Sequence, residues 1–124
     1  MEPNIICDYN DEGIDLFISY RNGVCRLTIS NRCPNVAFFS TLVADRANRC
    51  GGVGTMLLKQ AQETAVDYGC TVMTLQAKYQ SWQAAWYRRN GFEPVCDGYD
   101  ADMVMMSKRL KPKNKQRRNY YDSR

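Results

Sequence analysis

Ten residues constrain this chain most: RCGGVGTMLL, Arg49 to Leu58. Glycines stand at 51, 52 and 54. Directly after them Leu57, Leu58, Ala61, Ala65 and Tyr68 recur at helical spacing, with Lys59, Gln60, Glu63 and Asp67 off that stripe. Directly before them runs VAFFSTLV, residues 36–43, nearly continuously apolar, as a central strand covered on both faces reads. A strand that enters a helix through a glycine turn must lay that helix back on its own sheet, which restricts the chain to α/β arrangements. Gly69 sits where a glycine closes such a helix.

The flanks supply the rest of the sheet. DLFISY, Asn22-Gly23 and the alternating VCRLTIS predict a β-hairpin over 14–30, with Asn-Gly as its turn. NIIC, residues 4–7, reads as a short strand before it, and residues 31–35 form a loop around Pro34. TVMTLQA, residues 71–77, is a further strand. Ser81 caps a second helix with Trp82, Ala85 and Trp86 on its inward face, ending near Asn90-Gly91. FEPVC and MVMMSK are two more strands, joined by a loop carrying Asp97, Asp100 and Asp102. The expected fold is a mixed α/β sheet with one parallel crossover at its centre.

Composition narrows the chemistry. The 124 residues are 44% hydrophobic and 24% charged, enough for one domain with its own core. Apolar runs fall short of the ~18 residues that cross a bilayer. MEPNIICDYNDEGID lacks the layout of a signal peptide, so the expected location is the cytoplasm. With no histidine, Ser-His-Asp and Cys-His catalysis are excluded. The six cysteines are scattered without a CxxC pair, so no zinc site is expected, and the thiols read as reduced and mostly buried. Residues 111–124, KPKNKQRRNYYDSR, hold six bases and one acid. Residues 1–110 hold eleven bases and twelve acids, so the net charge of +4 lives in a tail that follows a 1–110 domain.

Three phosphate-binding patterns share the logic of such a glycine stretch. A P-loop needs Lys after its last glycine, and none is there. A GxGxxG fingerprint meets Leu57 in its third place. The pattern [RQ]xxGxG holds, on Arg49, Gly52 and Gly54. A helix start leaves unpaired N–H groups and partial positive charge, glycine lets the backbone come close, and Arg49 adds a fork-shaped cation. A plain glycine-rich turn remains the competing reading at this point.

With its surroundings, LVADRANRCGGVGTMLLKQAQETAVDYG…TLQAKYQSWQAAWYRRNGF resembles the GNAT family of acetyltransferases over roughly residues 36–96. The order is apolar strand, [RQ]xxGxG, helix, strand, then a helix with Tyr87 shortly before Gly91-Phe92. The resemblance implies a GNAT-like acyl-CoA N-acyltransferase fold that binds acetyl-CoA. Its pyrophosphate would lie on the loop Arg49, Cys50, Gly51, Gly52, Val53, Gly54 and Thr55. Its pantetheine would pair with the main chain of Leu42, Val43 and Ala44, and its thioester would enter where the two parallel strands splay. Gln80 stands where the family often has a cofactor-contacting Asn, and Tyr87 where a Tyr protonates the leaving thiolate.

The chain also departs from the pattern. Gln83 replaces a common Ala, and Arg46 a common Pro. The central strand has no carboxylate to act as base, leaving Ser40, Thr41, a water chain or a carboxylate from elsewhere. Most of the usual N-terminal helices are missing, which suggests an open acceptor site suited to a macromolecule or completed by a second subunit in a homodimer.

Several features carry a bland and a functional reading. Trp82 and Trp86 read as core rather than ligand contacts, and Cys50 as a spectator rather than a reactive thiol. Met103, Met105 and Met106 read as core or edge. Asp97, Asp100 and Asp102 form a solvated loop or draw in a cationic amine. The tail is solubilising, or touches nucleic acid through its bases and tyrosines. The expected function is acetyl transfer from acetyl-CoA to a primary amine by direct attack, metal-free. The alternative is a GNAT-fold binding module without turnover, acting on a protein or nucleic-acid partner.

Overall fold

The computed structural model describes residues 2–41 and 52–112. The order is β1 (Asn4–Asn10), β2 (Gly13–Tyr20), β3 (Gly23–Ser30), β4 (Val36–Thr41), α1 (Val53–Asp67), β5 (Val72–Lys78), α2 (Trp82–Arg89), β6 (Glu93–Asp97) and β7 (Met103–Arg109). One sheet holds all seven strands in the order β1-β2-β3-β4-β5-β7-β6. Every pairing is antiparallel except β4 with β5, the expected parallel crossover through α1.

The first hairpin is longer than NIIC suggests. The Asn10 side-chain oxygen accepts from the N–H groups of Glu12 and Gly13, at 2.9 and 3.1 Å, so the turn closes only there and β1 runs to Asn10. In the second hairpin the turn lies one residue earlier than Asn-Gly chemistry predicts. Tyr20 pairs with Gly23, and Arg21 rather than Gly23 takes the left-handed conformation, at φ 56.

Strand register sorts the side chains onto two faces. Leu16, Ile18, Cys25, Leu27, Phe39, Met73, Leu75, Val104 and Met106 share one face and are buried there. Both helices lie on that face. Val53, Leu57, Leu58, Ala61 and Ala65 of α1 cover β2 and β3, and α2 covers β5. The opposite face carries Asp15, Phe17, Arg26, Phe38 and Ser40, and neither α1 nor α2 covers it. Asp15 accepts from Thr28 at 2.7 Å and pairs with Arg26 at 3.1 Å. These partners, Thr28 first, outweigh partial burial and hold its carboxyl below the usual carboxylate range. The expectation of a strand covered on both faces is therefore corrected: Phe38 is 40% exposed and Ser40 is exposed, because the helices are one-sided.

Both helices end in the same way. At the end of α1, Gly69 N–H donates to Val66 O at 2.9 Å and Cys70 N–H to Ala65 O at 2.9 Å, with Gly69 at φ 90. At the end of α2, Gly91 N–H donates to Arg88 O at 3.0 Å and Phe92 N–H to Tyr87 O at 3.0 Å, with Gly91 at φ 97. Each is a Schellman cap, whose hallmark is an apolar contact between the residue after the glycine and the helix's last turn. At α2 that contact joins Phe92 to Tyr87, and it sets the helix's phase. Ala84, Trp86 and Tyr87 therefore turn inward, whereas Trp82, expected inside, is 52% exposed and Ala85 is exposed too. Tyr68, expected on the apolar stripe, is the last residue of the α1 cap and is 40% exposed. Cysteine burial is likewise corrected. Cys25 and Cys70 are buried, but Cys7, Cys33 and Cys96 are exposed because they lie on the two sheet edges and in a loop, and all five are free thiols.

Candidate functional site

Three features meet at the middle of the sheet. The first is the start of α1. Gly52 precedes the helix at φ 79, a left-handed conformation that favours glycine, and its carbonyl accepts the first helical bond from Met56 N–H at 3.0 Å. Among the described residues no side chain caps this end, and the first turn carries no acidic residue. The N–H groups of Val53, Gly54 and Thr55 thus form the positive end of a 15-residue helix. Gly54 is helical, and among the described residues an added Cβ would meet only Trp86 Cη2, at 4.0 Å. Neither its backbone conformation nor its packing against the described residues requires glycine there.

The second feature is a divergence of strands. β4 pairs with β5 at Val36–Val72, Ala37–Met73 and Phe38–Thr74. Both strands continue, β4 to Thr41 and β5 to Lys78, but among the described residues their pairing stops at Phe38. Beyond it each follows its other neighbour, β4 with β3 and β5 with β7. A wedge-shaped opening results, with β4 backbone on one side.

The third is the end of α2. Tyr87 packs edge-on against Phe39, Trp86 and Phe92, at centroid distances of 6.4, 5.2 and 5.7 Å. Phe39 is the first β4 residue past the last β4–β5 pair, so Tyr87 is half-buried at the root of the opening. Ser40 lies on the other face of β4, away from that ring cluster. Lys108 of β7 locks the cap from outside. Its Nζ donates to Asn90 O at 2.9 Å and lies 5.9 Å from the Phe92 ring centre. Burial, reinforced by Lys111, pushes its pKa down.

The site residues expected from the sequence are only partly visible together. Gly52, Val53, Gly54 and Thr55 open α1, and Tyr87 joins them through Trp86, which lies against Gly54. Gln80 is exposed at φ 57 in the turn between β5 and α2. Leu42, Val43, Ala44, Arg49, Cys50 and Gly51, with Arg46 and the tail beyond Pro112, lie outside the described residues. A shallow groove continues from Thr55 past Leu58 and Lys59 to Asn90. The carboxylate loop is exposed, and Tyr79 donates its hydroxyl to Asp97, which raises the Tyr79 pKa. Phe39 and Lys108, which help hold Tyr87 and its helix end, had no signal in the sequence, and Phe92 stood out only as part of the Gly91-Phe92 motif, not as the ring that packs on Tyr87. The i, i+5 spacing of Tyr87 and Phe92 around Gly91 was the signal that could have found the central pair.

Solved structures share this architecture. An IAA acetyltransferase from Bacillus cereus matches at TM-score 0.65 and 21% identity, over 80% of this chain and 79% of its own. An acetyltransferase of the GNAT family from Streptococcus pneumoniae matches at TM-score 0.63 and 20% identity, over 82% and 69%. The ribosomal-protein-S18-alanine N-acetyltransferase of Escherichia coli matches at TM-score 0.63 and 12% identity, over 86% and 74%. At such identities the likeness is one of fold. No curated protein sequence matches the chain. The family model for the acetyltransferase (GNAT) domain matches residues 5–94, and the chain belongs to that family.

Proposed function

We propose that this chain is an acetyl-CoA-dependent N-acetyltransferase acting on a primary amine by direct attack. The observation that carries the proposal is Gly54: glycine stands in the first turn of a helix without a side-chain cap, where neither its backbone conformation nor any described neighbour calls for one. A close-lying anion does have a use for it, and that end of α1 offers N–H donors with no acid in its first turn. The donor set therefore fits a pyrophosphate. Gly52, Val53, Gly54 and Thr55 would hold it, with Arg49, Cys50 and Gly51 completing the loop. The groove toward Lys59 and Asn90 offers the rest of the nucleotide a path.

When bound, acetyl-CoA supplies an acetyl group already activated as a thioester. The stretch of β4 past Phe38, which does not pair with β5 among the described residues, offers main-chain donors and acceptors to an extended pantetheine arm, and the main chain of Leu42, Val43 and Ala44, with Gln80, would add to that contact. Tyr87 holds a proton at its hydroxyl for the departing thiolate, and Phe39, Trp86 and Phe92 orient its ring. The exposed carboxylates Asp97, Asp100 and Asp102 favour a cationic acceptor. Residues 1–110 are read as the catalytic domain, and 111–124 as an appended basic segment.

Isothermal titration with acetyl-CoA tests the reading directly. Saturable binding in the micromolar range is expected. No heat of binding at millimolar acetyl-CoA would overturn it.

A further inference from the structure

The two edges of the sheet are built differently. β6 is five residues long, contains Pro94, shifts register between Pro94 and Cys96, and carries Glu93 and Asp97 at its ends. Each of these obstructs the addition of another strand. β1 has none of these features except one charge, Asp8. It is seven residues long, in unbroken register with β2, and contains no Pro, Lys or Arg. All seven residues are exposed, with Ile5 at 42%, Ile6 at 58% and Tyr9 at 69%.

The apolar layer also runs out unfinished at this edge. Ile5, Cys7 and Tyr9 pair with Ile18, Leu16 and Ile14, so they continue the core row on the helix-bearing face. Among the described residues the end of α1 reaches them through Tyr68, whose hydroxyl lies 3.7 Å from Cys7 Sγ and also interacts with Tyr9.

We infer that β1 is a self-pairing edge: a second copy of the chain adds its own β1 antiparallel, and the two sheets become continuous across a two-fold axis. An antiparallel two-fold pairing has its axis perpendicular to the sheet, so the helices of both copies stay on one side. Opposed residues must then point to the same face, which places the axis on a residue rather than between two. Centred on Cys7, all seven residues pair: Asn4 with Asn10, Ile5 with Tyr9, Ile6 with Asp8, and Cys7 with Cys7. Polar residues close both ends, the apolar row becomes continuous, and each Asp8 faces Ile6. Centred on Asp8 the two carboxylates would oppose each other, and centred on Ile6 the strand's far end would be left over. The register thus selects a second copy, through its own symmetry.

Sedimentation velocity on the full chain under reducing conditions is expected to show a dimer at micromolar concentration. Mild oxidation then maps the axis. Directly opposed residues of antiparallel strands lie about 4.5–5.5 Å apart at Cα, within disulfide range. A Cys7–Cys7 link should therefore form at least tenfold faster than links through Cys33 and Cys96, which are exposed too. Cys7→Lys sets two ammonium groups face to face and should weaken the dimer at least tenfold with circular dichroism unchanged, whereas Cys96→Lys on the other edge should leave it intact. If Cys7→Lys fails to fold, the linkage map of the unmodified chain decides alone. A monomer at every concentration, a dimer that survives Cys7→Lys, or oxidation through Cys33 or Cys96 at the Cys7 rate would overturn the inference. So would pairing of β1 only with a strand of a different protein.

Discussion

Replacing Gly54 with alanine separates two demands that glycine-rich loops usually confound. For the chain alone the change is favourable. The position is helical, its φ is not positive, and among the described residues the new methyl meets only Trp86, at an ordinary contact distance of 4.0 Å. Alanine removes freedom from the unfolded chain and suits the helix, a gain of about 0.5–1 kcal/mol. For a chain of this size that corresponds to a rise of roughly 2–5 °C in Tm. For a bound pyrophosphate the same methyl occupies the line of approach to the first-turn N–H groups. A tenfold loss of CoA affinity, about 1.4 kcal/mol, is expected. The variant should therefore melt higher and bind worse, a combination that a structural glycine cannot produce. Gly52→Ala is the counterpart: at φ 79 an alanine is strained by about 1–2 kcal/mol, and Tm should fall although the space around it is open. Thermal melts followed by circular dichroism, paired with calorimetric titration of CoA, read both quantities. If Gly54→Ala melted higher and bound CoA as tightly as the parent, the loop would be an ordinary turn. A lower Tm would refute the helical placement of Gly54.

Other outcomes test the neighbouring elements. Phe92→Ala empties a site that is 1% exposed and removes the apolar half of the α2 cap; a loss of about 3–5 kcal/mol is expected in urea unfolding, and a loss under about 1 kcal/mol would deny the cap its role. Tyr87→Phe keeps the ring cluster, so the protein should remain folded while acetyl transfer to a test amine drops about a hundredfold or more; unchanged turnover would remove the acid assignment. Burial pushes the Cys25 thiol up to about 12, so its contribution to stability is complete below the ordinary thiol pKa and is lost as pH rises toward 12. Urea midpoints should therefore decline across that alkaline window, and Cys25→Ala, though less stable at neutral pH, should flatten the decline. An equal slope in both proteins would show that Cys25 does not titrate on unfolding.

Much of this fold was legible because its signals are local. Alternation marked β2 and β3, the glycines at 69 and 91 marked both helix ends, and Ser81 marked the start of α2, where it accepts from Ala84 N–H at 3.1 Å. Features that depend on neighbours were not legible. The inward phase of α2 is set by Phe92 beyond its end, so a helical wheel of residues 82–89 pointed Trp82 the wrong way. The half-open faces of β4 follow from both helices choosing one side, which no strand sequence records. The site was legible to a similar degree. Gly52, Gly54 and Tyr87 were visible as a motif, but the stop in β4–β5 pairing and the ring of Phe39 against Tyr87 are tertiary facts.

The cap at the end of α2 also bears on how the site assembles. The Phe92–Tyr87 bond closes a loop of only a few residues and costs little chain entropy, whereas the Val36–Val72 pairing must wait until the whole of α1 has been spanned. By loop closure alone, the contact that seats Tyr87 in its own helix end is therefore the cheaper of the two to form. The ring at the opening between β4 and β5 is held by Phe92 from its own helix end, through contacts that do not depend on that pairing.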